Sequence, residues 1–269
     1  MFSADTFRTT EDFREAIYGG SIFRLPATTE TRALVADIRS LLEQDFGALA
    51  SVHTRFDFTS MKQPLSVLRA KLTTEPRYTE ALAAIAAVAG VPAELAFDPL
   101  RLRCVLPGNH LNKGSEVAYA AHRDTWYGNP QAQVNFWIPL QDMTEAQSFM
   151  FFPDVFKKAV PNTSNTFQYD DWIDQHGWQG SKSHAPVAFP APLQTPANGR
   201  AFSAQAGDII VFSAAHLHQT VKNNSDMARF SLDFRAVHLA DHAARRGAPN
   251  VDNASAPGAL RDYLFPRAA

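Results

Sequence analysis

The sequence predicts an all-β core, a sandwich or barrel, with helices packed outside it. Two helix-like stretches come first, and several short strand-like segments follow from about residue 99. That order suits a strand-built core covered by helices. Twenty Phe among 269 residues suit β-rich packing. A chain of this length buries about three quarters of the surface its unfolded form exposes, so one large domain spanning 1–269 is the simplest expectation.

Residues 30–46 carry apolar side chains at 34, 35, 38, 41 and 42, and Gly47 follows. That spacing predicts a helix with a glycine stop. The Ala-rich stretch 78–96 predicts a second helix, broken by Gly90-Val-Pro92. Both are expected to pack against a sheet. LRLRCVL (100–106) alternates and places Arg101 and Arg103 on one face of a strand. VAYAAHRD (117–124), QAQVNFWIPL (131–140) and AQSFMFFPD (146–154) read as further strands. Residues 155–200 are rich in Pro, Asn, Ser and Gly, and a structureless stretch of that length is usually a lid or an excursion. Strand character returns in 207–221 and 228–237, and the tail from 240 is polar. No internal repeat is visible.

With a net charge of −2 and no basic block, nucleic acid and anionic membrane are poor partners. A single cysteine, Cys104, excludes an intramolecular disulfide and a cysteine-built zinc site; it reads as a small core residue. No apolar run is long enough to span a bilayer, and the polar, acid-bearing N-terminus does not read as a signal peptide, so a reducing cytoplasm is expected. The oligomeric state is left open.

Chemistry concentrates in two places. In His122-Arg123-Asp124, residues two apart on a strand share a face, so the imidazole and carboxylate can reach one metal ion while Arg123 points away. Alone, this triplet is common. Further on, His216 and His218 also share a face. Two His and one carboxylate on one face of an octahedron leave three positions open, the arrangement of non-haem Fe(II) oxygenases.

Three blocks extend the pattern: AAHRDTW, NFWIPLQDMTEAQSFMFFPD and GDIIVFSAAHLHQTVKNNSDMARFS. Together they resemble the phytanoyl-CoA dioxygenase-like branch of the Fe(II)/2-oxoglutarate-dependent dioxygenases, over 119–235. The resemblance implies a double-stranded β-helix, the cupin-like jelly roll. It divides the domain into a helical part (about 1–98), a core (about 99–240) and a lid-like insertion (about 155–200). In that branch an Arg lies eleven positions after the distal His, a register that His218 and Arg229 match and His216 does not. The implied iron ligands are therefore His122, Asp124 and His218, with His216 in a supporting or pocket-lining place. Arg229 would grip the distal carboxylate of 2-oxoglutarate, with Ser231 adding a hydrogen bond. A planar guanidinium suits a carboxylate better than an ammonium.

The implied reaction uses O2 and 2-oxoglutarate, releases succinate, and hydroxylates, desaturates or otherwise oxidises a small metabolite, with secondary metabolism as one setting the branch serves. A carboxylate at Asp124 argues against the related halogenases, which have Ala or Gly there. One departure stands out. The second block commonly has an Asn-Gly turn and a Pro-Gly-Ser-His, where this chain has Glu-Ala-Gln-Ser and Pro153-Asp154-Val155-Phe156. Arg103, Trp126 and Tyr127 are candidate substrate contacts, each equally readable as packing or surface. Trp137 is expected inside the barrel. His110, His176 and His184 lie in loop-like sequence without a role. Two alternatives remain: a cupin-like metalloenzyme without 2-oxoglutarate, which leaves Arg229 and Ser231 idle, and a non-catalytic β-sandwich binding protein.

Overall fold

The computed structural model describes residues 1–5, 7–91, 95–112, 115–175 and 188–264. Two sheets face each other. The larger contains β1 (Phe23–Leu25), β7 (Ile209–Ser213), β4 (Gln133–Pro139), β9 (Arg229–His238) and β2 (Leu95–Phe97), in that order. β3 (Arg101–Val105) shares the long edge of β9 with β2, taking Arg229–Asp233 while β2 takes Ala236–His238. The smaller sheet runs β6 (Arg200–Ala201), β5 (Phe149–Phe151) and β8 (His218–Thr220). Every pairing between these strands is antiparallel. The core is predominantly β with flanking helices, as the sequence predicts.

The alternation of β9 explains how one strand serves two interiors. Phe230, Leu232, Phe234 and Ala236 enter the core beneath the helices α1 (Thr10–Tyr18), α2 (Thr29–Phe46), α3 (Phe58–Thr74) and α4 (Pro76–Val88). Arg229, Ser231, Asp233 and Arg235 alternate with them and face the other way. Between the sheets lies a second apolar cluster, with Trp137, Phe149, Phe151, Phe202, Ile210 and Phe212. Covered on both faces, β4 and β7 are buried throughout, which is why their sequences read as nearly continuous apolar runs.

The helix expected at 30–46 forms as α2, with Thr28 and Thr31 making a reciprocal capping box. The one expected at 78–96 stops at Val88, and Leu95–Phe97 is a strand; Pro92 lies outside the described residues. Residues 117–124 are not a strand. Glu116–Tyr119 and Asp124–Tyr127 form 3-10 turns, and only His122 pairs, in an isolated bridge with His218. Gly128 closes the second turn at φ 78°, and a Cβ there would come within 2.7 Å of the Ala256 carbonyl. Where Glu-Ala-Gln-Ser replaces an Asn-Gly turn, the Gln147 side chain supplies the closure: its Oε1 accepts from Thr144 N and Oγ1, both at 2.8 Å.

Within 155–200, Ser164–Thr166 is a 3-10 turn and Tyr169–Gln175 forms α5. The described flanks are tied together, Thr163 N donating to Ala191 O at 3.1 Å and Leu193 N to Pro161 O at 2.8 Å. The middle of the expected lid, 176–187 with His176 and His184, lies outside the described residues. Among the described residues no helix is long and apolar enough to cross a membrane.

Candidate metal centre

His122 and His218 come from opposite segments yet sit as a bonded pair. Each backbone N–H donates to the other's carbonyl at 3.0 Å, and the rings are 4.4 Å apart between centroids. In each, Nδ1 lies 3.0 Å from a carbonyl two residues earlier, Ala120 O for His122 and His216 O for His218. A carbonyl only accepts, so Nδ1 carries the proton and Nε2 keeps its lone pair. That is the tautomer a metal ion needs. Burial pushes the His218 pKa down to about 4, so this ring is neutral at ordinary pH.

Asp124 completes the group. One ligand atom from each of the three residues lies within 4.8 Å of the others, and Asp124 Oδ1 is 3.5 Å from His122 Nε2. Burial of the carboxyl works against ionisation, but the two neighbouring imidazoles and the Asn135 amide, which donates to it, hold its pKa below the usual carboxylate range. Phe149 and Phe212 stand edge-on to the His218 ring at 6.0 and 5.4 Å, and Tyr127 stacks on His122 at 5.1 Å. Aromatic rings thus flank the three donors.

His216 is elsewhere. Its Nε2 donates to Gly20 O at 3.0 Å, its ring packs against Phe156 at 4.4 Å, and burial pushes its pKa down to about 3. It serves the centre through its backbone carbonyl, which orients His218.

Arg229 and Ser231 are buried at one end of the inner face of β9. Arg229 Nη1 donates to the carbonyls of Gln147 and Ser148, both at 3.2 Å, while its Nε and the Ser231 hydroxyl are buried without a partner. Burial lowers the Arg229 pKa to about 10, so the guanidinium stays charged. A buried cation and a hydroxyl, two residues apart with idle hydrogen-bonding capacity, fit an anionic group bearing several acceptors.

The three candidate substrate contacts differ in surroundings. Arg103 lies opposite Ser231 and makes a two-point ion pair with Asp233, at 2.7 and 3.1 Å, its own side chain half exposed. Tyr127 lies over His122 in a cluster with Phe167, Tyr169 and Trp172. Trp126 is fully buried, donating Nε1–H to Asp252 at 2.8 Å. Arg101 pairs with buried Asp98 at 2.7 Å, His110 meets Tyr119 edge-on, and Cys104 packs half-buried against the helical core.

Sequence reasoning missed the polar frame behind the site. Arg123 does point away from the centre, as expected. It is fully buried against Asp252 at 3.1 Å and also donates to the carbonyls of Val155, Lys158 and Ala215. Asp252 Oδ2 additionally accepts from Val160 N at 3.0 Å. One ion pair thereby ties the turn that carries Asp124 to the start of the insertion and to the C-terminal segment. Removing one partner of a buried pair costs about 3–5 kcal/mol. The carbonyls that also hold the guanidinium put Asp252→Ala at the lower end, and urea titration should show a loss of about 3 kcal/mol. A change below about 0.5 kcal/mol, the size of an ordinary surface substitution, would contradict this.

The model of the family "Phytanoyl-CoA dioxygenase (PhyH)" matches residues 95–231, half of the chain. The chain belongs to the phytanoyl-CoA dioxygenase family. It is accordingly an oxygenase-type enzyme dependent on iron and 2-oxoglutarate. Among solved structures, EvdO2 from Micromonospora carbonacea var. aurantiaca is 18% identical, with 88% of this chain and 93% of that chain covered and a TM-score of 0.50, a likeness of fold. The nogalamycin-biosynthesis proteins SnoK, a carbocyclase, and SnoN, an epimerase, are 18% and 15% identical, with TM-scores of 0.42 and 0.44. SnoK covers 91% of this chain and 96% of its own, SnoN 84% of each. Comparison with curated proteins finds no match.

Proposed function

We propose that His122, Asp124 and His218 hold Fe(II), that Arg229 and Ser231 hold the distal carboxylate of 2-oxoglutarate, and that the enzyme hydroxylates or desaturates a small polar metabolite. One observation carries the reading: three metal-competent donor atoms gathered within 4.8 Å, with the unpartnered Arg229 Nε and Ser231 Oγ on the inner face of β9. When bound, the iron and cosubstrate supply the O2-dependent oxidation, and succinate is the co-product.

The chain's residues set the conditions. His122 and His218 present neutral Nε2 atoms because carbonyls occupy their Nδ1–H groups. Asp124 would supply the charge that complements a divalent cation, and with only three protein ligands a bound ion would keep room for cosubstrate and O2. The rings of Phe149, Phe212 and Tyr127 flank the donors with apolar surface. The Arg103–Asp233 pair provides donors and acceptors for a polar substrate. We assign 155–200 the role of a lid over it, treat the chain as one domain because a continuous core joins helices and larger sheet, and expect it to work in the cytoplasm.

The test is succinate formation from 2-oxoglutarate by Fe(II)-loaded enzyme under air, across a metabolite panel. Succinate should require both Fe(II) and 2-oxoglutarate and rise with the right metabolite. Metal binding without any 2-oxoglutarate binding would instead leave a cupin-like metalloenzyme, and loss of both a binding protein.

A further inference from the structure

Asp124 is held by a hydrogen-bonded chain whose polarity is fixed at both ends. Asn135 Nδ2 donates to Asp124 Oδ2 at 2.6 Å. Gln133 Nε2 donates to Asn135 Oδ1 at 2.7 Å and to Asp124 Oδ2 at 3.3 Å. Tyr263 Oη donates to Gln133 Oε1 at 2.6 Å. All four side chains are buried. An ionised carboxylate only accepts, so Asn135 must turn its amino group toward Asp124, and its oxygen then faces Gln133. Gln133 must answer with its amino group, which leaves its own oxygen facing Tyr263. The phenol can donate, and burial raises its pKa well above the ordinary value, so the proton stays on it. No amide in the chain can flip without leaving a buried donor facing a donor or an acceptor facing an acceptor.

Two donors therefore occupy Oδ2, while Oδ1 lies on the side of His122 Nε2. A second chain holds the backbone of the same residue: Asn129 Nδ2 donates to Asp124 O at 2.8 Å. Arg235 Nη1 donates to Asn129 Oδ1 at 3.3 Å and its Nε pairs with buried Asp98 at 2.8 Å. Neither the side chain nor the peptide of Asp124 is free to rotate.

We infer that Tyr263, Gln133 and Asn135 are positioning residues that make Asp124 a one-oxygen ligand, so that the C-terminal segment takes part in shaping the metal centre. This rests on the reading of Asp124 as a ligand. The consequence is chemical: if both oxygens turned to the ion, one of the three positions needed by cosubstrate and O2 would close.

Co(II) is the probe, titrated into full-length protein without 2-oxoglutarate and followed by its visible d–d absorption, which reports coordination number. Asn135→Leu keeps the branched shape and removes both the donor and the acceptor of the amide, and its affinity should fall by about 10- to 100-fold, the range for outer partners of metal ligands. Tyr263→Phe removes only the hydroxyl and should give a smaller loss, with the d–d band moving in the same direction as in Asn135→Leu. The double variant should lose less than the sum of the two single losses, because Asn135→Leu removes the main route from Gln133 and leaves only its 3.3 Å contact with Asp124. Asp124→Ala separates the two claims. Should it lose Co(II) while Asn135→Leu and Tyr263→Phe keep wild-type affinity and band, the ligand assignment stands and the relay is overturned. Lower apo-protein stability in those variants with an unmoved band overturns the relay equally. Asp124→Ala binding Co(II) like the wild type removes the ligand assignment and the relay with it.

Discussion

Asp124→Ala should leave an enzyme that neither retains Fe(II) nor turns over, and His122→Ala and His218→Ala should do the same. The expected loss exceeds the roughly 10- to 100-fold that follows from disturbing a ligand's outer partner, because here a donor itself is gone. In Asp124→Ala the only negative charge of the group disappears, and Asn135 Nδ2 loses its buried acceptor. In either histidine variant the backbone bridge between residues 122 and 218 can persist, because it uses only main-chain atoms. Folding and metal loss can therefore be read separately, by circular dichroism and by Fe(II) titration under anaerobic conditions. His216→Ala is the internal control: its ring is spent on Gly20 O and Phe156, so the variant should keep the metal at some cost in stability. Full activity in any of the three ligand variants would break the triad. Metal loss in His216→Ala with retention in His218→Ala would reverse the choice of histidine.

The two histidines show what spacing in a sequence conveys and what it withholds. Residues two apart share a face only in regular strand, and the chain is regular at neither place. Ser213–His216 is a turn closed by His216 N donating to Ser213 O at 3.0 Å, and β8 begins at His218. The register to Arg229 chose between them where alternation alone did not. His122 and Asp124 likewise reach one site through a bridge and a 3-10 turn, not through the extended strand expected.

Elsewhere legibility followed burial. The doubly covered β4 and β7 announced themselves as apolar runs, and α2 by its stripe. The three-residue strands β1 and β2 are too short for any period to emerge. Residues 47–77 carried no assignment from sequence, though Met61, Leu65, Leu68 and Leu72 mark the buried stripe of α3; Pro64 inside the helix breaks the propensity signal there. Gln133 and Asn135 were visible as polar residues two apart in an otherwise apolar strand, a pattern that in hindsight marks the inward face. Nothing local marks Asp252 or Tyr263. The partners of their side chains lie 92 to 130 positions away, and only the closed fold brings them together.

Arg229→Ala should lower apparent affinity for 2-oxoglutarate by about 30-fold or more while Fe(II) stays bound. The guanidinium is fully desolvated, with its Nη1 spent on the Gln147 and Ser148 carbonyls and its Nε facing no protein acceptor. A dicarboxylate whose far end reaches this Nε and the Ser231 hydroxyl completes both groups at once. Removing the arginine strands that carboxylate in a dry pocket, and the loss of one partner from a buried charged pair costs about 2–5 kcal/mol. At about 1.4 kcal/mol per factor of ten, the lower bound of that range gives the 30-fold figure. The metal is unaffected because the triad donors take no hydrogen bond from Arg229, whose carbonyl partners belong to the turn before β5. Arg229→Lys should recover part of the loss, since an ammonium keeps the charge but not the planar two-point contact. Ser231→Ala should cost less, about 1 kcal/mol, as a neutral hydroxyl contributes one hydrogen bond. The measurement is anaerobic titration of Fe(II) enzyme with 2-oxoglutarate, followed by the charge-transfer absorbance of the chelate. An unchanged curve in Arg229→Ala would remove the residue from the cosubstrate site. No absorbance change in the wild type would leave the orphaned Nε and Oγ of β9 to some other anion.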